Sequence, residues 1–259
     1  MSWIRFTKPN AFVDGIVGGL IEDTTRPNDA KCNLDGSGMF SWLLRFDLAA
    51  GTLTTGASKP SANPAGPYAF IDQTVTLGGT PFHIQPVTLT APLAGGCSFD
   101  SSAGDLLLPV YLDPGGASAI LLPLRAVRFS GGELTPDHGC IGRYNAEGLH
   151  PWDSCLAPYP QPFVPFFLPG AEVDAFMTLE DADKFVVDPL METLCVVLGQ
   201  PATYGTKNPQ GVMVCERDAA NEIIFKGDWC AATNQPATPS CSDAVRVSAS
   251  FAAQGVQIL

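Results

Sequence analysis

Residues 105–155 read DLLLPVYLDPGGASAILLPLRAVRFSGGELTPDHGCIGRYNAEGLHPWDSC. Two apolar runs, 106–112 and 119–129, flank the turn Asp113-Pro114-Gly115-Gly116. In the second run Ile120, Leu122, Leu124 and Ala126 alternate with Leu121, Pro123, Val127 and Phe129, with Arg125 among the latter. A strand that is apolar at both parities is covered on both faces, so this hairpin belongs at the centre of a β fold. Pro109 and Pro123 each remove a ladder donor, which predicts a bulge or a local edge. Behind the hairpin, Cys140 and Cys155 bound a loop of polar and aromatic residues with no hydrophobic period.

Working outward, Phe40–Leu48 reads as a long strand, with residues 51–56 as its hairpin partner across Ala49-Ala50-Gly51. Strands are expected at 68–77 and 82–90, with Pro86 demoting the latter to an edge or a bulge. Glu222–Trp229 and Ala244–Phe251 read as closing strands, the second alternating well. Val13, Ile16, Val17, Leu20 and Ile21 form a helical stripe that Gly15, Gly18 and Gly19 weaken. Thr178-Leu-Glu-Asp181 is a capping-box variant. Asp188-Pro189 opens a second helix lined by Leu190, Met191, Leu194, Val197 and Leu198, with Gly199 at its end. Residues 156–169 hold too many prolines for a regular helix and read as an extended strap. The fold expected is mainly β: an antiparallel β-sandwich with one to three short helices, stapled by disulfides, in one extracytoplasmic domain over 1–259.

The 259 residues carry 26 Asp and Glu against 14 Lys and Arg, for a formal net charge of -12. Phosphate binding needs clustered cations, and the chain has no basic run, so neither nucleic acid nor an anionic membrane surface is an expected partner. No stretch approaches the ~18 apolar residues of a spanning helix. Eight cysteines (Cys32, Cys97, Cys140, Cys155, Cys195, Cys215, Cys230 and Cys241) contain no C-x-x-C pair. Their even number argues for disulfides and an oxidising location: extracellular, periplasmic or cell-surface. The first twenty residues lack the basic start, apolar segment and cleavage site of an export signal, so an exported mature chain is the reading that reconciles the two. Nearest-neighbour pairing gives Cys32–Cys97, Cys140–Cys155, Cys195–Cys215 and Cys230–Cys241.

The runs LDGSGMFSWLLRFDLAAGTLTTGA, ILLPLRAVRF and GCIGRYNAEGL resemble those of secreted proteins from myxobacteria and related bacteria without known activity. The resemblance implies an exported, surface-attached protein. It implies no catalytic residue, ligand or fold.

Candidate chemistry gathers around the loop and strap. Tyr144, His150, Trp152, Asp153 and Tyr159 interleave aromatic faces with polar groups and suit a glycan or a peptide. His138, Cys140, His150 and Cys155 make a possible zinc set, and Asn33 with Asp35 a possible calcium loop. No other cofactor is expected. A Ser-His-Asp set drawn from His138 or His150 with Asp137, Asp153 and Ser154 lacks any G-x-S-x-G elbow. A carboxylate pair drawn from Asp47, Glu133, Asp137, Glu147 and Asp153 carries no distinguishing signal. The function expected is therefore an exported non-enzymatic binding or structural module. The alternatives are a secreted hydrolase of polysaccharide or ester bonds and a subunit of an extracellular assembly that self-associates through its strap or a strand edge.

Overall fold

The computed structural model describes residues 3–13, 16–25, 28–29, 34–35, 37–61, 66–77, 80–116, 118–145, 166–199 and 205–259. The fold is a mainly β, antiparallel sandwich. Its larger sheet runs, in spatial order, Gly104–Tyr111, Ala119–Ser130, Ala171–Thr178, Ala244–Gln254. The last of these also pairs with Trp3–Lys8, Trp229–Cys230 and Cys140–Ile141. The smaller sheet consists of Ser41–Asp47, Thr52–Ser58 and Val87–Thr90, in that order. Two parallel contacts occur among the described residues: Glu192 with Met213, in a peripheral four-stranded sheet, and the isolated bridge Tyr68 with Ile258.

A single extra residue organises the larger sheet. Leu106 faces Leu124, but Gly104 faces Val127: between these pairs one residue, Asp105, stands opposite two, Arg125 and Ala126. The same surplus appears on the opposite edge, where Arg125 faces Phe176 and Arg128 faces Asp174. The bulge centres on Ala126, whose φ is 49°. Because the side-chain period is two, one inserted residue exchanges the faces beyond it. Val127 and Phe129 therefore join Ile120, Leu122 and Leu124 on the inner face, where simple alternation had set them opposite. All five are 0–3 % exposed. The expected bulge exists, but the prolines do not make it. Leu107–Pro123 and Pro109–Leu121 are pairs of one type, two residues apart. Both prolines can thus turn their missing N–H outward from the hairpin. On that outer side, residues 119–124 pair with no described strand.

Acidic groups hold the bulge. Asp105 accepts the Ala126 N–H at 2.9 Å and the Arg125 guanidinium at 2.8 Å. Asp181 accepts Arg125 Nε and Nη2 at 3.1 and 2.9 Å, and Lys184 Nζ at 2.8 Å. Burial pushes the Asp181 carboxyl up, but hydrogen bonds from Lys184 and Arg125 outweigh it and hold the group below the usual carboxylate range. The hydrogen bonds of Asp105 and Asp181 raise Arg125 further above its usual value.

Alternate residues of the neighbouring strands complete the inner face: Val173, Ala175 and Met177, then Val245, Val247, Ala249 and Phe251, then Ile4 and Phe6, all buried. The smaller sheet closes over it. Trp42 meets the Phe129 ring edge-on at 5.7 Å, and Phe129 meets Phe251 at 5.8 Å. The indole N–H of Trp42 donates to Thr55 Oγ1 at 2.8 Å, and Thr55 Oγ1 donates to the Leu43 carbonyl at 3.2 Å, so the buried polar atoms are partnered.

Several sequence expectations need correction. Among the described residues there are four short α-helices, Asn10–Val13, Ile16–Thr25, Leu179–Ala182 and Leu194–Gly199, where one to three were expected. The first stripe splits in two: Phe12 is buried, Ile21 is buried, and Val13 is exposed. Gly18 lies against Phe12, where a Cβ would stand 2.1 Å from the Phe12 carbonyl oxygen. The capping box forms, with Thr178 Oγ1 accepting the Asp181 N–H at 3.0 Å. The next helix does not run from Asp188. Residues 188–190 make one 3-10 turn, Met191 stops it at φ 53°, and the helix begins at Leu194. Glu222–Trp229 is not a strand. Asp218 draws the Ala220 and Glu222 N–H groups into a turn, and only Trp229–Cys230 pairs as strand.

Truncating Phe129 should remove the contact between the two sheets at its centre. Phe129→Ala is expected to lower the unfolding free energy by about 3–5 kcal/mol. Leu48→Ala, at a half-exposed position, should stay within about 0.5 kcal/mol of wild type. Urea denaturation followed by tryptophan fluorescence reads both.

Candidate functional site

The cysteines fix which loop chemistries are available. Cys195–Cys215 ties the helix Leu194–Gly199 to the strand Met213–Cys215, with Cα atoms 5.9 Å apart. Cys230–Cys241 closes a second loop at 5.1 Å. Both pairs are those expected. Cys140 is also disulfide-bonded, which withdraws it from the zinc set. Its expected partner Cys155 lies outside the described residues. Cys97 carries a free, half-buried thiol. The expected Cys97 pair with Cys32, itself outside the described residues, is therefore not made.

The other sequence candidates do not converge. His150, Trp152, Asp153 and Tyr159 lie outside the described residues, as do Asn33, Glu147 and Ser154. Tyr144 sits in the strand Arg143–Asn145, opposite Phe167 of Phe166–Leu168. Asp35 lies opposite Asn28 in a two-residue pairing. His138, held at φ 58°, bonds through Nε2 to the Gly96 carbonyl at 2.9 Å. A carbonyl only accepts, so Nε2 carries the proton and is committed. The Asp137 carboxylate accepts from Thr135 Oγ1 and the Gly139 N–H, and these bonds, with a smaller contribution from His138, hold it below the usual range. Among the described residues no hydrogen bond joins a serine hydroxyl to a histidine. The remaining acids are spread apart: Asp47 caps the turn after its strand, and Glu133 is exposed at the far side of a short pairing with Ser98.

What the sequence did not point to is a cavity of about 700 Å³ beside the smaller sheet, a volume ordinary for a ligand site. One bank is Leu43, Leu44, Arg45 and Phe46. Successive residues of a strand face opposite sides, so a cavity touched by four in a row runs along the strand's edge. Ser41–Asp47 is an outer strand of its sheet, paired only with Thr52–Ser58 among the described residues. The other bank is also consecutive: Ala253 to Val256, next to Gly139, Cys140 and Ile141. The result is a slot between two lengths of extended backbone.

The slot is lined by apolar and polar groups in comparable measure, with hydroxyl residues Thr25, Ser37, Ser41, Ser61 and Tyr68. Burial pushes the Tyr68 phenol up, so it stays protonated. No aspartate or glutamate is among the described lining residues, and Arg45 is the one permanent charge there. Arg45 lies exposed with its guanidinium 5.3 Å from the Phe70 ring centre. It makes no ion pair with a described residue. A single arginine on a strand edge leaves no sequence signal; the run SWLLRFD reads only as a strand.

Compared with known family models, curated proteins and solved structures, the chain matches none. Among the described residues, no helix is long and apolar enough to cross a membrane.

The thiol inventory can be read directly. Alkylation of the denatured, unreduced protein followed by peptide mass spectrometry should label Cys97. Cys140, Cys195, Cys215, Cys230 and Cys241 should be labelled only after reduction.

Proposed function

We propose that the chain is an exported, disulfide-stapled binding module that takes its ligand in the slot between residues 41–48 and 253–258. The slot itself carries this reading. It combines apolar groups, hydroxyls and one cation that makes no ion pair with a described residue, set between two lengths of extended backbone. A rigid scaffold with a few placed polar groups is what ligand recognition requires. Export is supported by the two described disulfides and by the bonded state of Cys140, since such bonds persist in oxidising compartments. The binding reading is favoured over the hydrolase because the His138 ring spends Nε2 on a carbonyl while Asp137 is engaged elsewhere.

Glycan and peptide arrays probed with the labelled protein test the proposal. Wild type should bind a restricted subset. Leu48→Glu and Val256→Trp, which charge and fill the slot, should lose that subset by at least about tenfold while their melting temperatures stay near wild type. Binding by both variants as by wild type, or no binding by wild type, refutes the proposal.

A further inference from the structure

Two polar side chains of the slot lack the partners that the fold supplies elsewhere. Ser41 lines the slot and is only 8 % exposed. Other buried hydroxyls are spoken for: Thr24, Thr55, Ser58, Ser101 and Thr193 each donate through Oγ to a described acceptor. The Ser41 hydroxyl makes no hydrogen bond with any described residue. A buried hydroxyl without a partner is destabilising, and native structures satisfy nearly all of them. This one stands where a ligand can complete it.

Arg45 is the second. Alternate residues of a strand share a face, so Ser41, Leu43 and Arg45 point the same way, with about 13 Å between the first and last Cα atoms. Phe70 locates the guanidinium at 5.3 Å from its ring centre, and none of the five N–H donors is hydrogen-bonded to a described residue. Asp47, next on that face, gives its Oδ1 to the Ala49 and Ala50 N–H groups at 3.1 and 2.9 Å. The chain as a whole carries -12, yet no carboxylate is among the described lining residues. A guanidinium in that setting pairs best with a carboxylate brought by the ligand, which its planar fork can hold through two bonds. The rest of the lining mixes the hydroxyl residues Thr25, Ser37, Ser61 and Tyr68 with Phe40 and Phe46. A hydroxyl donates and accepts at once, so it can bond a ligand hydroxyl beyond any partner it already has. Sugar rings carry hydroxyls on their rims and C–H groups on their faces, and match both kinds of lining. A peptide would instead bring an amide N–H and a carbonyl at every residue, each needing a partner of fixed sense.

Resting on the binding reading above, we infer that the slot takes an acidic glycan. The sugar carboxylate sits on the guanidinium of Arg45, and a ring hydroxyl completes the hydrogen bonding of Ser41. A short oligosaccharide with a sugar acid at one end spans the two groups.

Fluorescence anisotropy with labelled oligogalacturonate, oligoglucuronate and a sialylated oligosaccharide tests this, each beside its methyl ester and its neutral counterpart. Wild type should prefer at least one of the acids to its ester by at least about tenfold, the size of a charge-assisted hydrogen bond. Arg45→Gln should bring that acid down to the level of the ester, and Arg45→Lys should keep part of the preference. Ser41→Ala should weaken binding of the acid by about fivefold or more while the preference over the ester remains. Without ligand, Ser41→Ala should melt at or above the wild-type temperature, since the hydroxyl has no bond within the protein to lose. A melting temperature several degrees lower, or unchanged affinity in Ser41→Ala, overturns the role of Ser41. Equal affinity for acid and ester, or a preference that survives Arg45→Gln, overturns the role of Arg45 and leaves the binding module standing. Array binding confined to peptides, or to neutral or sulfated glycans, overturns the acidic glycan and also leaves the module standing. Failure of every glycan and peptide overturns both readings.

Discussion

The inserted residue at Ala126 is the constraint from which the rest of the architecture follows. Both neighbouring strands register it, so it is built into the sheet and not into one loop. It turns Val127 and Phe129 to the side already occupied by Ile120, Leu122 and Leu124. That change places the Phe129 ring between Trp42 of the smaller sheet and Phe251 of the central strand. Without it the second half of the strand would offer its large groups to the outer face, and the two sheets would lose their common contact. The left-handed backbone at Ala126 is unfavourable for a residue with a Cβ. Asp105 offsets this by taking both the Ala126 amide and the Arg125 side chain, and Asp181 anchors the same arginine from the following helix.

The slot depends on that packing. Trp42 points inward from Ser41–Asp47 and fixes the roll of the strand. Leu44 and Phe46 share its side, with Phe46 edge-on to Phe99 at 4.8 Å. With the face settled, the side of residues 43–46 away from Thr52–Ser58 is left toward the slot, and the end of Ala244–Gln254 lies across from it. The central strand therefore supplies one bank of the slot and the inner face of the larger sheet together. At the far end of the sheet, Asp174 accepts Arg246 Nε at 3.0 Å and also bonds Ser248, which keeps the same strand tied to its neighbour on the outer face.

Much of this was legible in the sequence where two residue types differ strongly in hydrophobicity. Ala244–Phe251 alternates apolar and polar residues, and its register can be read from that pattern. The hairpin of residues 41–58 has a turn whose Asp47 side chain caps it. In Ala119–Ser130 the bulge was anticipated but not its consequence, for a physical reason. When both parities are apolar, a shift of one residue changes the face of every side chain without changing the pattern. Residues 188–199 misled in the opposite way: apolar spacing was helical across a break that only the backbone of Met191 makes. Glu222–Trp229 looked like a strand by composition, but the Asp218 carboxylate, four residues before it, takes the Glu222 amide into a turn. The slot was invisible because a strand's edge is defined by what stands beside the strand, and sequence records only what lies along it. The free state of Cys97 was hidden likewise, since an even cysteine count constrains the sum and not the pairs.

The account of the slot turns on one claim: among the described residues, the slot side of residues 43–47 pairs with no strand. Residue-resolved amide hydrogen exchange on residues 43–47 measures it most directly. Alternating protection is expected, with amides bonded to Thr52–Ser58 slow and those facing the slot exchanging at least about a hundredfold faster. Uniform slow exchange along all five residues would contradict that claim.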